Sequence, residues 1–405
     1  MEKIYNIQLF DGSNAIIKDN IEYKVLKSEK YNFIFNKKNG FFVRWGKGKY
    51  DKNVKFNKQE LDLYVLWTNI WDEKIDTKQF LCDIKTDGDL SLGLPEIADI
   101  EISTSCHGVK GIGPCRFCYK SNLPTGDGNM TIQIFKKLLD KLPPTVGQIA
   151  FGITDIDANP DMWDIFEYTK SNGIVPNVTI NGDRMTPELF DKLSTTMGAV
   201  AVSLYDKDLT YNAVKELTDR GMEQVNIHFM IAEQTFDNAI QLLKDYKTDK
   251  RLKKLNAIVF LSLKPKGRAI QSEYTRLNDD KFKELIDFAF ENDVPIGFDS
   301  CSQPKFIKSI KNRKNFKELE KYAESCESSI YSLYINSGEN GDPKFYPCSF
   351  SEKVKDDNID WEKGISILDC DDFIKDIWFS DRVRQFANIT IDNKIKGIAC
   401  PMYNI

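Results

Sequence analysis

The sequence predicts an α/β protein, a partial (β/α)6 barrel with an N-terminal β-rich region before it and a cysteine-bearing C-terminal extension after it. Three observations carry this. From residue 97 onward, short β-branched runs alternate six times with segments of helical period. Such alternation implies parallel strands joined by right-handed crossovers, and six units curl into a full or partial barrel. Before residue 96 the runs are short, aromatic and broken by Gly, Asn and Lys; beyond residue 300 the rhythm stops and cysteines recur. The expected divisions are residues 1–95, 96–300 and 301–405. A flat doubly wound sheet is the structural alternative, and in both arrangements ligands bind at the carboxyl ends of the strands.

In the first region, residues 4–9, 23–26, 31–35 and 41–45 read as small antiparallel strands, and Asn39-Gly40 is a strong hairpin signal. Residues 58–80 read as helical. In the barrel, strands are expected at 97–103, 148–153, 175–180, 199–204, 225–231 and 257–263. Helices are expected between them at 131–142, 160–171, 187–195, 209–220 and 235–246, with a last one at 279–291. Residues 295–299 read as one more short strand. In the extension, 331–336 and 344–347 read as a hairpin joined by a Gly-rich turn.

Composition limits what the chain does. With 41% apolar and 29% charged residues, it has the balance of a globular protein with a sizeable core. A net charge of only −5, with both signs mixed along the chain, does not favour nucleic acid as a partner. No apolar segment is long enough to span a membrane, and the start lacks the apolar core of a signal peptide. The expected location is the cytoplasm. Disulfides are rare there, so nine cysteines ask for another use.

Three of them lie in the first βα loop, Ser105-Cys106-His107-Gly108-Val109-Lys110-Gly111-Ile112-Gly113-Pro114-Cys115-Arg116-Phe117-Cys118-Tyr119-Lys120. Gly108, Gly111 and Gly113 relax the backbone enough for the loop to wrap a cofactor. Three thiolates around a [4Fe-4S] cluster leave one iron open. An open iron can chelate the amino and carboxylate groups of S-adenosylmethionine. A zinc site of three cysteines and His107 is the alternative.

The segment Cys115-Arg116-Phe117-Cys118 resembles the second half of the radical S-adenosylmethionine (radical SAM) signature, C-x3-C-x2-C with an aromatic before the last cysteine. Eight residues separate Cys106 from Cys115 where the usual form has three, which reads as an insertion. The resemblance implies that Cys106, Cys115 and Cys118 hold the cluster, with Phe117 and Tyr119 beside the cofactor. It implies that Gly152, Thr154 and Asp155, ending strand two, receive the methionine amino group. Helix-capping in an ordinary βα turn is the alternative there. Asn177, Thr179 and Asn181 share one face of strand three, and Asn181 joins the cofactor set. Ser203 on strand four is implied to contact the ribose or carboxylate. His228, on the same face as Asn226, is either a cofactor contact or a structural histidine. The turn Lys264-Pro265-Lys266-Gly267-Arg268 is a basic rim for an anionic group, with Lys264 its cofactor candidate, or a solvated loop.

Cys301, Cys326, Cys348 and Cys400 lie beyond the barrel, each in a turn-like context. Four thiolates saturate a [4Fe-4S] cluster or a zinc ion. A cysteine, a hairpin with glycine and then Pro347-Cys348 resemble the auxiliary-cluster extension of radical SAM enzymes, the SPASM or shorter twitch domain. At most one auxiliary cluster is implied. Cys82 and Cys370 read as packing residues.

The function expected from these readings is reductive cleavage of S-adenosylmethionine to a 5′-deoxyadenosyl radical that abstracts hydrogen from a substrate. A peptide is the favoured substrate, and flavodoxin or ferredoxin the kind of electron donor. An RNA- or nucleotide-modifying radical enzyme and a non-catalytic zinc or iron–sulfur interaction protein are the alternatives. The stretches 115–122, 177–182, 263–267 and 299–302 are also similar to a group of radical SAM proteins of unassigned function from bacteria and their viruses.

Overall fold

The computed structural model describes residues 2–46, 57–83, 89–320, 323–355, 359–398, 400, 402 and 403. Five strands, β1 (Lys3–Gln8), β2 (Asn14–Asp19), β3 (Tyr23–Lys27), β4 (Asn32–Asn36) and β5 (Phe42–Trp45), pair antiparallel in chain order. The Asn39-Gly40 turn closes β4 on β5, with Gly40 at φ +72° and its N–H on Asn36 O. The sequence reading names four of these strands, and β2 is the addition. Its stretch NAIIKD ends in two charges, and Asp19 is buried in the folded sheet between Lys24 (3.1 Å) and Lys37 (2.6 Å).

Helices α1 (Lys58–Trp71) and α2 (Thr77–Asp83) cover one face of this sheet. An Asn57–Glu60 capping box starts α1. Trp67 then meets Trp45 edge-on at 4.6 Å, over a small core with Val25, Ile34 and Phe80. The side chain of Cys82 lies outside the described residues.

The barrel follows. Strands β6 (Ile97–Glu101), β7 (Gln148–Gly152), β8 (Val175–Ile180), β9 (Ala199–Ser203), β10 (Val225–Ile231), β11 (Ala257–Ser262) and β12 (Ile296–Phe298) lie parallel in that order. The first six are followed by α3 (Ile132–Lys141), α4 (Met162–Ser171), α5 (Pro187–Thr196), α6 (Lys207–Asp219), α7 (Phe236–Thr248) and α8 (Asp279–Glu291). Thr131, Thr186, Asp206 and Asn278 cap four of these helices with their side chains. Alternation sorts each strand. Ala98 and Ile100 are fully buried, whereas Asp99 opens to the interior cavity. Strand β6 ends at Glu101, two residues earlier than the sequence suggests. Residues 102 and 103 pair instead with the returning arm of the cysteine loop, through Met130 N to Ile102 O and the Ser103–Asn129 bridge.

The extension does not stand apart from the barrel. After α9 (Gln303–Ile310) and α10 (Phe316–Glu320), strand β13 (Ser332–Ile335) pairs parallel with β6, Ser332 opposite Ile97. Strand β14 (Lys344–Tyr346) forms the expected hairpin with β13. The strands β15 (Val354–Lys355) and β16 (Asp360–Trp361) pair only with each other, and β17 (Ile365–Ser366) ends the ten-stranded sheet beside β14. The long helix α11 (Asp381–Lys396) closes the chain against Gly397 at φ +68°. The order β12-β11-β10-β9-β8-β7-β6-β13-β14-β17 leaves the barrel open.

One core runs from Leu9 and Phe33 through Ile100 and Ile149 to Trp361 and Trp378. Buried Arg44 on β5 pairs with Glu96 just before β6 (2.6 Å) and with Glu327 of the extension (2.7 Å), while the Tyr31 hydroxyl donates to Glu96.

Candidate functional site

Three clamps hold the first cysteine loop at the carboxyl end of the strands. At its base, Asn159 Nδ2 donates to Ile102 O (2.6 Å) and Met130 O (2.8 Å), joining the two arms. On one side, Asp155, after β7, accepts His107 N–H (2.5 Å), Asn181 Nδ2 (3.0 Å) and Arg184 Nη2 (3.1 Å). Asp183 accepts Lys110 N–H (2.9 Å), and Arg184 reaches Gly108 O (3.2 Å). On the other side, the turn after β11 receives the loop. Arg268 donates from its backbone to Cys118 O (3.0 Å), from Nε to Cys115 O (3.1 Å) and from Nη1 to Asn122 O (2.9 Å).

The glycines answer to specific geometry. Gly108 has φ +68°, and a Cβ on it would stand 2.0 Å from Gly113 O. Gly267 has φ +60°, and a Cβ there would stand 2.4 Å from Tyr119 O. The two backbones touch, and a side chain fits at neither point.

The three thiols gather within this frame. Cys115 and Cys118 hydrogen-bond to each other, which pulls Cys118 down to about 5 and pushes Cys115 up. The Tyr205 hydroxyl donates to the Cys115 sulfur. Burial and then Asp155 raise the Cys106 thiol, and Cys118 is near enough to add to that rise. Phe117 stacks on Tyr205 with ring centres 6.2 Å apart and meets Tyr274 edge-on at 5.2 Å. Tyr119 packs on Phe350 at 4.4 Å.

The other predicted site residues lie along the strand ends. Thr154, at φ +61°, donates to Ser105 O and ties β7 to the loop. With its oxygens taken by His107, Asn181 and Arg184, Asp155 is a hub for the loop backbone. Gly152 lies opposite Glu101, where a Cβ would stand 3.3 Å from the Glu101 Cα. Ser203 lines the cavity and hydrogen-bonds Tyr205. His228 also lines it, 3.5 Å from Thr179 Oγ1, and burial pushes its imidazole down to about 4 against the opposing pull of Asp299.

The basic turn is neither a solvated rim nor free for an anionic ligand through its two lysines. Buried Lys264 pairs with Asp299 and lies over the Phe350 ring at 5.0 Å. Burial opposes its charge, but Asp299, Cys301 and Cys400 together hold the ammonium above its usual value. Lys266 Nζ donates to Ser349 O, Phe350 O and Glu352 O. Sequence reasoning also passes over Tyr205, Arg184 and Asn159, and it gives Arg268 no role beyond its place in the basic turn. Only the place of Tyr205, two residues beyond Ser203 at a strand end, was a signal.

Four cysteines distant in sequence border one cavity. Cys301 follows β12, Cys326 precedes β13, Cys348 follows β14 and Cys400 follows α11. Cys326 and Cys400 each act electrostatically on Cys301 and on Cys348. Burial pushes all four thiols up, Cys348 to about 12. Cys370 stands apart, buried, with its Sγ 3.1 Å from Ile367 O. A cavity of about 790 Å³ is bordered by Cys115 and Cys118 and also by Cys301, Cys326, Cys348 and Cys400.

The donor chemistry fits iron–sulfur ligation, with thiols only in both sets and His107 turned to Asp155 (Nδ1 to Oδ2, 3.3 Å). Among the described residues, no three His, Cys, Asp or Glu side chains are arranged to hold one metal ion.

Known structures carry the same fold of an open barrel of parallel strands. Streptococcus suis SuiB bound to its precursor peptide SuiA matches with a TM-score of 0.58 at 12% identity, over 90% of this chain and 89% of that one. SuiB bound to S-adenosylmethionine gives 0.57 at 12% identity, over 90% and 88%. Native anSMEcpe with bound AdoMet and the Cp18Cys peptide gives 0.51 at 17% identity, over 73% and 84%. No family model and no curated protein matches the chain. Among the described residues no helix is long and apolar enough to cross a membrane.

Proposed function

We propose that this chain is a radical SAM enzyme acting on a peptide. In this reading Cys106, Cys115 and Cys118 hold one [4Fe-4S] cluster, and Cys301, Cys326, Cys348 and Cys400 hold an auxiliary one. The observation that carries it is the single cavity bordered by thiols of both sets. When bound, the first cluster and S-adenosylmethionine supply a 5′-deoxyadenosyl radical after one-electron reduction by a donor such as flavodoxin or ferredoxin.

The chain's own residues do the rest. The clamps of Asp155, Asn159 and Arg268 fix the backbone of the loop that carries the thiols. Phe117, Tyr205 and Tyr274 line the cavity. Gly152, Thr154, Asn181 and Ser203 line or brace the strand ends where the cofactor lies, and neutral His228 adds a polar contact without a charge. The cavity volume suits a nucleoside together with one substrate side chain. SuiB bound to SuiA and anSMEcpe bound to Cp18Cys, which share the fold, support a peptide. The edge strand β1 offers a place for peptide strand addition. We assign presentation of the substrate to residues 1–95, radical generation to 96–300 and the auxiliary cluster to 301–405. The cytoplasm suits the reduced thiols.

Iron and sulfide content of anaerobically purified protein tests the reading. About eight irons per chain are expected, falling to about four in a Cys106/Cys115/Cys118 triple-alanine variant. Reduced wild type should release 5′-deoxyadenosine and methionine, and the variant should not. Zinc without iron overturns the proposal.

A further inference from the structure

We infer that Arg268 is a positioning residue for the iron–sulfur cluster, holding the Cys115–Cys118 loop and setting a fixed positive charge beside it that eases its one-electron reduction. The inference rests on the cluster assignment above and concerns a residue outside the three-cysteine signature.

Arg268 reaches the loop as backbone and as side chain. Three of its N–H groups, from the main chain, Nε and Nη1, end on the carbonyls of Cys118, Cys115 and Asn122. Gly267 makes this approach possible, because any side chain there would strike Tyr119 O. The remaining nitrogen, Nη2, is buried with no hydrogen-bond partner. Burying a guanidinium donor unpaired is costly, and arginine cannot shed its proton to relieve the cost. An acceptor or an anion beside Nη2 would relieve it.

The neighbouring cations do not share this situation. Lys264 is paired with Asp299, and Lys266 is satisfied by three carbonyls. Arg268 makes no ion pair among the described residues. One guanidinium therefore lies against the loop that carries Cys115 and Cys118, with no carboxylate of its own among the described residues.

The electron count shows the consequence. Three thiolates and a [4Fe-4S]2+ core carry a net charge of −1. One electron from a low-potential donor takes this to −2, and no bond forms or breaks. A fixed cation in a poorly screened site stabilises the −2 state more than the −1 state. Reduction then occurs at a less negative potential than it would beside a neutral side chain.

The test uses the full chain, reconstituted anaerobically, as wild type, Arg268→Gln and Arg268→Lys. The midpoint potential is read by electron paramagnetic resonance, following the signal that changes when S-adenosylmethionine is added. The Arg268→Gln midpoint should be more negative than wild type, with Arg268→Lys between the two. If Arg268→Gln fails to keep this cluster, retention by Arg268→Lys supports the same role of the charge. An unshifted or raised midpoint in Arg268→Gln overturns the inference. Loss of the cluster from Arg268→Lys as complete as from Arg268→Gln also overturns it. A wild type that binds no iron sinks the cluster assignment instead, so the two failures are distinguishable.

Discussion

Asp155 joins the second and third barrel strands to the cysteine loop through His107, whose backbone N–H lies 2.5 Å from its Oδ2 while Asn181 Nδ2 lies 3.0 Å from its Oδ1. At 2% exposed, this carboxylate has little access to water, and Arg184 balances its charge. Asp155→Ala leaves the Asn181 amide and the His107 N–H without their acceptor and removes one of the partners of Arg184. A loss of about 1–3 kcal/mol is expected in chemical denaturation, together with less iron per chain after reconstitution. Asp155→Asn, which keeps an oxygen for His107, should recover part of both.

Two glycines of the same loop should respond differently. Gly108→Ala puts a Cβ 2.0 Å from Gly113 O at a positive φ, so the loop must open. Gly111→Ala also sits at positive φ but meets nothing within 4 Å. The second change should cost about 1–2 kcal/mol and leave iron binding intact. The first should cost more and lower iron content, as read by melting and metal analysis.

The Arg44 junction predicts a large stability effect far from the cavity. Arg44→Met leaves Glu96 and Glu327 facing each other with no cation, and Glu96 has no route to solvent. Breaking a buried pair on one side costs about 3–5 kcal/mol. Adding Glu96→Gln should restore part of the loss, measured by urea denaturation.

His228 predicts a pH dependence. Its folded value of about 4 lies below the ordinary 6.5, so the unfolded chain takes up the proton first. Its contribution to stability is complete above pH 6.5 and is lost as pH falls toward 4. The full loss is roughly 3 kcal/mol, less where cavity water screens the ring. His228→Gln should flatten that part of the stability profile.

The barrel was legible because its signals are local. Strands β6 to β11 read as short apolar runs alternating with segments of helical period, and both patterns depend on residues close together in the chain. Strand β2 was not legible, because Asp19 is tolerated inside only once Lys24 and Lys37 surround it. The end of β6 was misplaced because residues 102 and 103 pair with a loop arm that returns more than twenty residues later.

Sequence alone determined the alternating βα rhythm, the cysteine loop after its first strand and the hairpin of the extension, since each depends on residues close together in the chain. Tertiary structure decided that β13 docks on β6, and that Cys301, Cys326, Cys348 and Cys400 border the same cavity as Cys115 and Cys118. It also turned Lys264 and Lys266 inward and set Arg268 against the backbone of the cysteine loop. These are contacts between segments tens to hundreds of residues apart. Burial and charge pairing select them only when the whole core forms, so no local pattern records them.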